Sequence, residues 1–366
     1  MKTNTPVQNS LPDEILIPQL TEEVIGLLKQ LIAIPSFSKE ENKTADLIQQ
    51  FLESKGIRTK RVLNNVWVVN KHFKKNAPTI LLNSHHDTVK PNSGYSLNPF
   101  DPIEKEGKLF GLGSNDAGGA LMGLLATFLY FYEQSTAYNF IFAATAEEEI
   151  SGKNGVEYLL PELGKIDFAI VGEPTLMQLA IAEKGLLVID CISHGRSGHA
   201  AREEGENAIY KALDDIQWFQ TFQFPKVSET LGPVKMSVTI IHAGTQHNVV
   251  PDTCEFTVDI RITDAYKNEE VLEIIKEHVS CEVKPRSLRL TPSSISIDHP
   301  IVKAGVSLGR STYGSPTTSD QALMNFPSLK LGPGDSARSH TANEYIFVDE
   351  LKEGILLYIE MLKKIN

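Results

Sequence analysis

The chain is poor in the residues that staple or anchor a protein. Cysteine occurs three times in 366 residues, as Cys191, Cys254 and Cys281, far apart and without a CxxC pair. So odd and scattered a set argues against a disulfide framework and against a thiolate zinc site. No apolar run is long enough to cross a bilayer; the most apolar stretch, about Ala120 to Tyr132, reads as a buried helix. The opening segment MKTNTPVQNSLPDE lacks the apolar centre of a signal peptide. A cytoplasmic, reducing location and no membrane partner are expected. Positive charge is also scarce. The net charge of -11 argues against broad binding to nucleic-acid backbones, so no nucleic-acid partner is expected. Three catalytic signatures are missing as well. There is no GxSxG nucleophile elbow, no GxxxxGK[ST] phosphate loop and no HExxH zinc helix.

What remains is an ordinary globular composition, 41% hydrophobic and 22% charged. Its length suits two domains. Residues 20–34 and 40–55 carry helical spacing, and Ser38 with Glu41 resembles a capping box for the second. Residues 62–72, 78–84, 139–145 and 167–172 are strand-like, with near-continuous apolar runs. Alternating with helices, they predict an α/β domain whose mostly parallel sheet is covered on both faces. The texture changes at Lys184-Gly185. From there the pattern predicts strand 186–193, helix 206–220, strands 234–242 and 254–261, helix 267–279 and strand 282–290. That βαββαβ order is a ferredoxin-like α+β unit. RLTPSSISIDHP reads as a linker, and an amphipathic helix is expected over 348–364. The expected organisation is a catalytic domain of residues 1–183 and 291–366, interrupted by a satellite of residues 184–290.

Six side chains capable of binding metal sit where strands end: His85 in NSHHDTV, Asp116 in GSNDAGG, Glu148 and Glu149 in TAEEEISG, Glu173 in VGEPT and His340 in SHTANE. Two imidazoles and three carboxylates suffice for two zinc-like ions sharing a carboxylate, with one carboxylate left to move protons. Strand alternation turns His85 and Asp87 to one face and His86 to the other. Asp87 is then placed to orient His85. Each residue also has a plainer role. Asp116 lies before an apolar helix, where it would be an N-cap. A charge run such as 147–149 is usually a solvated turn. Yet clustered like charges repel unless a cation or proton compensates them. If one of these glutamates binds metal, its neighbour is free to take a proton from water.

These motifs, in this order, resemble the dinuclear zinc amidohydrolase and peptidase family of acetylornithine deacetylase, succinyl-diaminopimelate desuccinylase, aminoacylase and carboxypeptidase G. HxD, GxGxxD, EE, EP and the late SHT span residues 85–341. SGHA at 197–200, GENAI at 205–209, HNVVPD at 247–252 and DIR at 259–261 match too. The resemblance implies a zinc-peptidase-like catalytic domain with a dimerising satellite, hence a homodimer. It implies two Zn2+ per subunit, with Co2+ or Mn2+ as substitutes. His85, Asp116 and Glu173 would hold one ion; Asp116 would bridge to a second held by Glu149 and His340. Glu148 would be the general base and Asp87 would support His85. His199 would reach the partner's site and stabilise the oxyanion, while Asn248 and Arg261 would hold a small N-acyl amino acid. Three positions depart from the family's habit: Ser84 before the first histidine, Lys90 after the aspartate, and Ala117-Gly118 after the bridging Asp116. None is a ligand.

The expected activity is hydrolysis of the amide of an N-acyl amino acid. The texture of PTTSDQALM and GPGDSARSHTANEY lies nearest acetylornithine deacetylase, which implies N-acetylornithine, acyl-citrulline or succinyl-ornithine as substrate, in arginine biosynthesis. Succinyl-diaminopimelate desuccinylase and a metallo-dipeptidase or carboxypeptidase are the enzymatic alternatives. A silent binding protein on the same fold is the non-enzymatic one, and a missing ligand or base would mark it.

Overall fold

The structure, a computed structural model, describes residues 12–366. The chain divides into two compact units. The first holds residues up to Leu179 with Ile297–Thr312 and Leu329–Asn366; the second holds Ala180–Ser296 and Tyr313–Ser328.

The first unit opens with α1 (Asp13–Ile32) and α2 (Asn42–Ser54). The capping box expected for α2 does not form. Glu41 occupies the cap position, but no side chain caps the helix. β1 (Lys60–Val62) and β2 (Asn65–Val69) form a hairpin in place of one strand over 62–72. The chain reverses at Leu63-Asn64, where Leu63 takes φ 54° and Asn65 Nδ2 donates to the carbonyl of Val62. β3 (Thr79–His85) follows, then the short pair β4 (Ile103–Lys105) and β5 (Lys108–Phe110). α3 (Gly119–Tyr132), β6 (Asn139–Thr145), α4 (Val156–Leu163) and β7 (Phe168–Val171) complete this stretch. α3 is buried along nearly its whole length and packs against α1 and β3, as its unbroken apolar sequence requires. β3, β6 and β7 are buried at every position, which fits strands covered on both faces.

β3 runs parallel to both β6 and β7. His85 pairs with Thr145, and Asn83 with Val171. This register brings His85, the turn after Thr145 and the turn after Val171 to one carboxyl edge of the sheet, the edge where α/β folds place their sites.

The second unit holds most of β8 (Leu179–Glu183), then β9 (Gly185–His194), β10 (Gly198–His199) and α5 (Ala208–Thr221). β11 (Lys235–Ala243), β12 (Val249–Val250), β13 (Thr253–Ile262) and α6 (Asn268–His278) come next, with β14 (Glu282–Pro285) and β15 (Ser293–Ser294) last. Four strands form an antiparallel sheet in the order β11-β13-β9-β14. Along β9 burial alternates residue by residue. Its inward Leu187, Ile189 and Cys191 meet Phe256 and Val258 of β13, Ala212 of α5 and Ile275 of α6. The last strand stops at Pro285, short of the expected 290. Leu290 instead bridges to Leu186, and β15 pairs with β8. Part of the supposed linker is thus built into strand pairing, because its backbone donors and acceptors need partners. The second unit also takes in 180–183, 291–296 and 313–328, which the sequence pattern had left with the first.

After residue 296 the chain forms α7 (Pro300–Ser307), β16 (Thr312–Ser315), most of it in the second unit, β17 (Ser328–Lys330), β18 (Tyr345–Phe347) and α8 (Val348–Lys363). The first unit's sheet then reads β1-β2-β6-β3-β7-β17, with β18-β5-β4 as a separate small sheet. α8 packs on α3. Among the described residues no helix is long and apolar enough to cross a membrane.

Candidate metal centre

His85 closes β3 and is 1% exposed. Its Nδ1–H donates to the carbonyl oxygen of Asp87 at 3.0 Å, which leaves the lone pair on Nε2. Nε2 is buried and has no hydrogen-bond partner among the described residues. It faces Asp116 Oδ1 at 3.3 Å, Glu173 Oε1 at 3.7 Å and Glu148 Oε2 at 3.9 Å. A lone pair aimed at three carboxylates is repulsive unless a cation or proton lies between them. Burial opposes protonating His85, but the carboxylates outweigh it and hold the imidazole well above its ordinary value.

Asp116 follows Gly113, whose φ of 77° turns the chain sharply ahead of α3. Gly118 occupies the cap position of α3, so the N-cap role available to Asp116 is not taken. The Asp116–Ala117 peptide is cis. The two carboxylate oxygens of Asp116 face opposite imidazoles, Oδ1 toward His85 and Oδ2 toward His340 Nε2 at 3.7 Å. Burial alone would raise its carboxyl, but His85 outweighs that and lowers it.

Glu148 and Glu149 lie in a short 3-10 turn after β6, entered through Glu147 at φ 56°. Asp87 clamps this turn: its Oδ1 accepts the backbone N–H of Glu148 at 3.0 Å and its Oδ2 that of Glu149 at 3.2 Å. Asp87 thus supports the glutamate turn as well as His85. Glu149 Oε2 lies 3.0 Å from His340 Nε2, and this contact lifts the imidazole to about 9. His340 sits in a loop at φ 60° with its side chain half exposed. Among the described residues two groups of donor atoms are tight enough to hold an ion, His85 with Glu148 and Glu173, and His85 with Asp116 and Glu149. The donors are nitrogen and carboxylate oxygen only, a set that suits zinc, cobalt or manganese.

The structure therefore gathers all six strand-end residues into one cluster. His86 turns away: its Nδ1 meets Thr44 Oγ1 and its Nε2 the carbonyl of Asn64, both at 2.9 Å. The three satellite candidates lie in the second unit. His199 pairs with Val249 across β10 and β12, next to Asn248, whose carbonyl accepts the N–H of Ala200. The His199 side chain is exposed, with Nδ1 accepting from Ala201 N. Arg261 is held by both oxygens of Asp259, at 2.8 and 3.1 Å, and by Thr318 at 3.2 Å.

Sequence reasoning missed the residues behind the cluster. Ser38 Oγ donates to Asp87 Oδ2 at 2.7 Å in place of capping α2. Glu41 is fully buried and accepts the backbone N–H of Glu147 at 3.3 Å and Asn64 Nδ2 at 3.1 Å. Burial raises its carboxyl. Glu344, 2% exposed, accepts three backbone N–H groups of the Asp116 turn, and burial beside the Asp116 carboxylate pushes it up to about 8. Polar residues in a loop carry no periodicity, so nothing in the sequence marked them.

Comparison with known proteins agrees with this geometry. Residues 81–364 match the peptidase family M20/M25/M40. A succinyl-diaminopimelate desuccinylase of Orientia tsutsugamushi (strain Ikeda) is 25% identical over 93% of this chain and 95% of its own length. One from Rickettsia bellii (strain OSU 85-389) is 27% identical over 92% and 95%. The sequence texture had pointed to acetylornithine deacetylase; these relatives carry the name of the stated alternative. Among solved structures, an M20 family metallo-carboxypeptidase of Sulfolobus solfataricus superposes with a TM-score of 0.73 at 18% identity, over 93% of this chain and 98% of that one. A dinuclear metal-binding M20 peptidase of Bacillus subtilis superposes at 0.70 with 16% identity, over 95% and 98%. With the match covering most of its length, the chain belongs to peptidase family M20/M25/M40.

Proposed function

We propose that the chain hydrolyses the amide bond of a small N-acyl amino acid, with a pair of divalent ions, zinc first, held at the strand-end cluster. The observation that carries this reading is the buried, partnerless Nε2 of His85 facing three carboxylates. His85 and Glu173 would hold one ion, Glu149 and His340 the other, with Asp116 between them. When bound, such a pair supplies Lewis acidity and lowers the pKa of water. Glu148 takes the proton from the attacking water and returns it to the leaving nitrogen. Asp87 fixes both the Glu148–Glu149 turn and the tautomer of His85. Arg261, already oriented by Asp259 and Thr318, would offer a guanidinium to a substrate carboxylate, and Asn248 would help hold the substrate.

His199 would donate to the amide oxygen of a partner subunit's substrate. Support for pairing comes from the second unit alone. β11 is a sheet edge with Ile240 45% and Ile241 50% exposed, and on α5 Tyr210 is 69% and Leu213 50% exposed.

The relatives favour an N-succinyl diamino acid as substrate, and the PTTSDQALM and GPGDSARSHTANEY segments favour N-acetylornithine. The test is metal content together with amine release from a panel of succinyl-diaminopimelate, acetylornithine, acetylcitrulline, succinylornithine and a dipeptide. Two metals and one preferred N-acyl substrate are expected. A metal-free, inert protein would overturn the reading.

A further inference from the structure

We propose that Glu344 is a positioning residue for the metal pair, coupling the turn that carries Asp116 to the loop that carries His340; this rests on the metal reading above. Its carboxylate accepts the backbone N–H of Gly113 at 3.1 Å through Oε2, and those of Asn115 and Asp116 at 2.8 and 2.9 Å through Oε1. Three amides within four residues converge on one buried acceptor, a concave nest of the kind that holds anions. Here the acceptor is a carboxyl of the chain itself.

The arrangement does more than satisfy stray donors. The amide of Asp116 is one of the three, so the carboxylate of Glu344 sets the backbone from which Asp116 sends one oxygen toward His85 and the other toward His340. Glu344 also lies four residues past His340 in the same segment. That segment is fastened on its other side as well. Asn92 Nδ2 donates to the carbonyl of His340 at 3.1 Å, and Asn343 Oδ1 accepts the N–H groups of Ser96 and Leu97 at 3.0 Å each. Gly111 N donates to the carbonyl of Glu344 at 3.0 Å. The Asp116 turn and the His340 loop therefore meet at Glu344, 228 residues from Asp116 in sequence. His85 and Glu173 are placed by β3 and β7, and none of these three hydrogen bonds of Glu344 reaches either strand.

This asymmetry makes the inference testable. Without Glu344 the ion assigned to Asp116, Glu149 and His340 would lose the placement of two of its three ligands. The ion assigned to His85, Glu173 and the shared Asp116 would lose that of one, and keep the two that β3 and the end of β7 place. Outer hydrogen-bond partners of metal ligands are worth about 10–100-fold in affinity. The experiment titrates metal-free full-length wild type, Glu344→Gln and Glu344→Asp with zinc against a chelating dye, and records thermal unfolding alongside. Wild type is expected to take two ions. Glu344→Gln, neutral and with one acceptor oxygen, should keep one site and weaken the other by about 10–100-fold. Glu344→Asp, which keeps both acceptor oxygens but is shorter, should fall between. Equal weakening of both sites, or a lowered unfolding temperature with both affinities unchanged, overturns the proposal in favour of a merely structural role. If Glu344→Gln does not fold, the same criteria apply to Glu344→Asp. A wild type that takes fewer than two ions overturns the metal-pair reading itself, and does so before any variant is made.

Discussion

Two histidines, His85 and His199, show how differently the two units hold a side chain. His85 is 1% exposed, ends a strand buried on both faces, and is gripped through Nδ1. His199 is exposed in a two-residue strand, with only the amide of Ala201 on its ring. The strands behind them differ in the same way. β3 is buried at every residue between parallel neighbours, whereas β9 alternates between buried and half-buried positions in an antiparallel sheet. A parallel sheet covered on both faces lets chemistry emerge only at its ends, where several strands converge on one site. An antiparallel sheet covered on one face has a free face and a free edge, which suit contact with another molecule. The first unit thus gathers its donor atoms into a buried cluster, whereas the second leaves its candidate histidine at an exposed turn.

The sharpest way to break this contrast is at the reacting centre. Glu148→Gln is expected to keep its metals and lose turnover by about 10²–10⁴-fold, the usual worth of a general base. Normal metal content with near-full activity would show that Glu148 is not the base. His199→Ala should leave folding, metal content and pairing intact while turnover falls by about 10²–10³-fold, the loss expected for one oxyanion donor. Mixing it with Glu148→Gln sharpens the comparison. If His199 serves the partner, each mixed dimer has one site with both residues intact and activity returns. If subunits exchange and no activity appears, His199 acts within its own chain or not at all.

A smaller contrast lies within the first unit, between His85 and His86. His85→Ala should lose about one metal per chain, because it removes a ligand from a site with three protein ligands. His86→Ala should retain both, since its ring is committed to Thr44 and Asn64. Metal analysis with the opposite result would reverse the orientation of the two side chains.

The smallest effect is on stability. Burial holds His86 at about 4, below its ordinary 6.5. The unfolded chain therefore takes up the proton first as pH falls. The contribution is full above pH 6.5 and is lost as pH falls toward 4. At about 1.4 kcal/mol per pH unit the loss comes to roughly 3 kcal/mol. Denaturant unfolding across that window should show a shallower decline in His86→Gln than in wild type. Equal slopes would mean that His86 titrates normally.

Much of this was legible in the sequence because it repeats locally. The apolar runs of β3, β6 and β7 and the alternation of β9 mark two kinds of sheet, and the α/β class follows from them. His85, Glu148, Glu149 and Glu173 were legible because polar residues at the end of buried strands are conspicuous; Asp116 and His340, also expected at strand ends, lie instead in turns away from one. Errors fell where one reading rested on local habit alone. Ser38 with Glu41 has the spacing of a capping box, yet Ser38 binds Asp87, 49 residues away, and Glu41 receives Glu147, 106 residues away. RLTPSSISIDHP looked like a linker because serine and proline avoid regular strands, but tertiary pairing at Leu290 and Ser293–Ser294 overrode that preference.

The sequence by itself determined the ligand chemistry, the strands that present it and the turn of His86 away from His85, because these depend on residue type and on a period of two. Only the tertiary structure decided which oxygens face which imidazole and what holds them there. The parallel register sets His85 level with Thr145, Asp87 clamps a turn 61 residues away, and Glu344 closes a nest 231 residues before it. Hydrogen bonds of that reach leave no periodic trace along the chain, since their geometry exists only after the strands have packed.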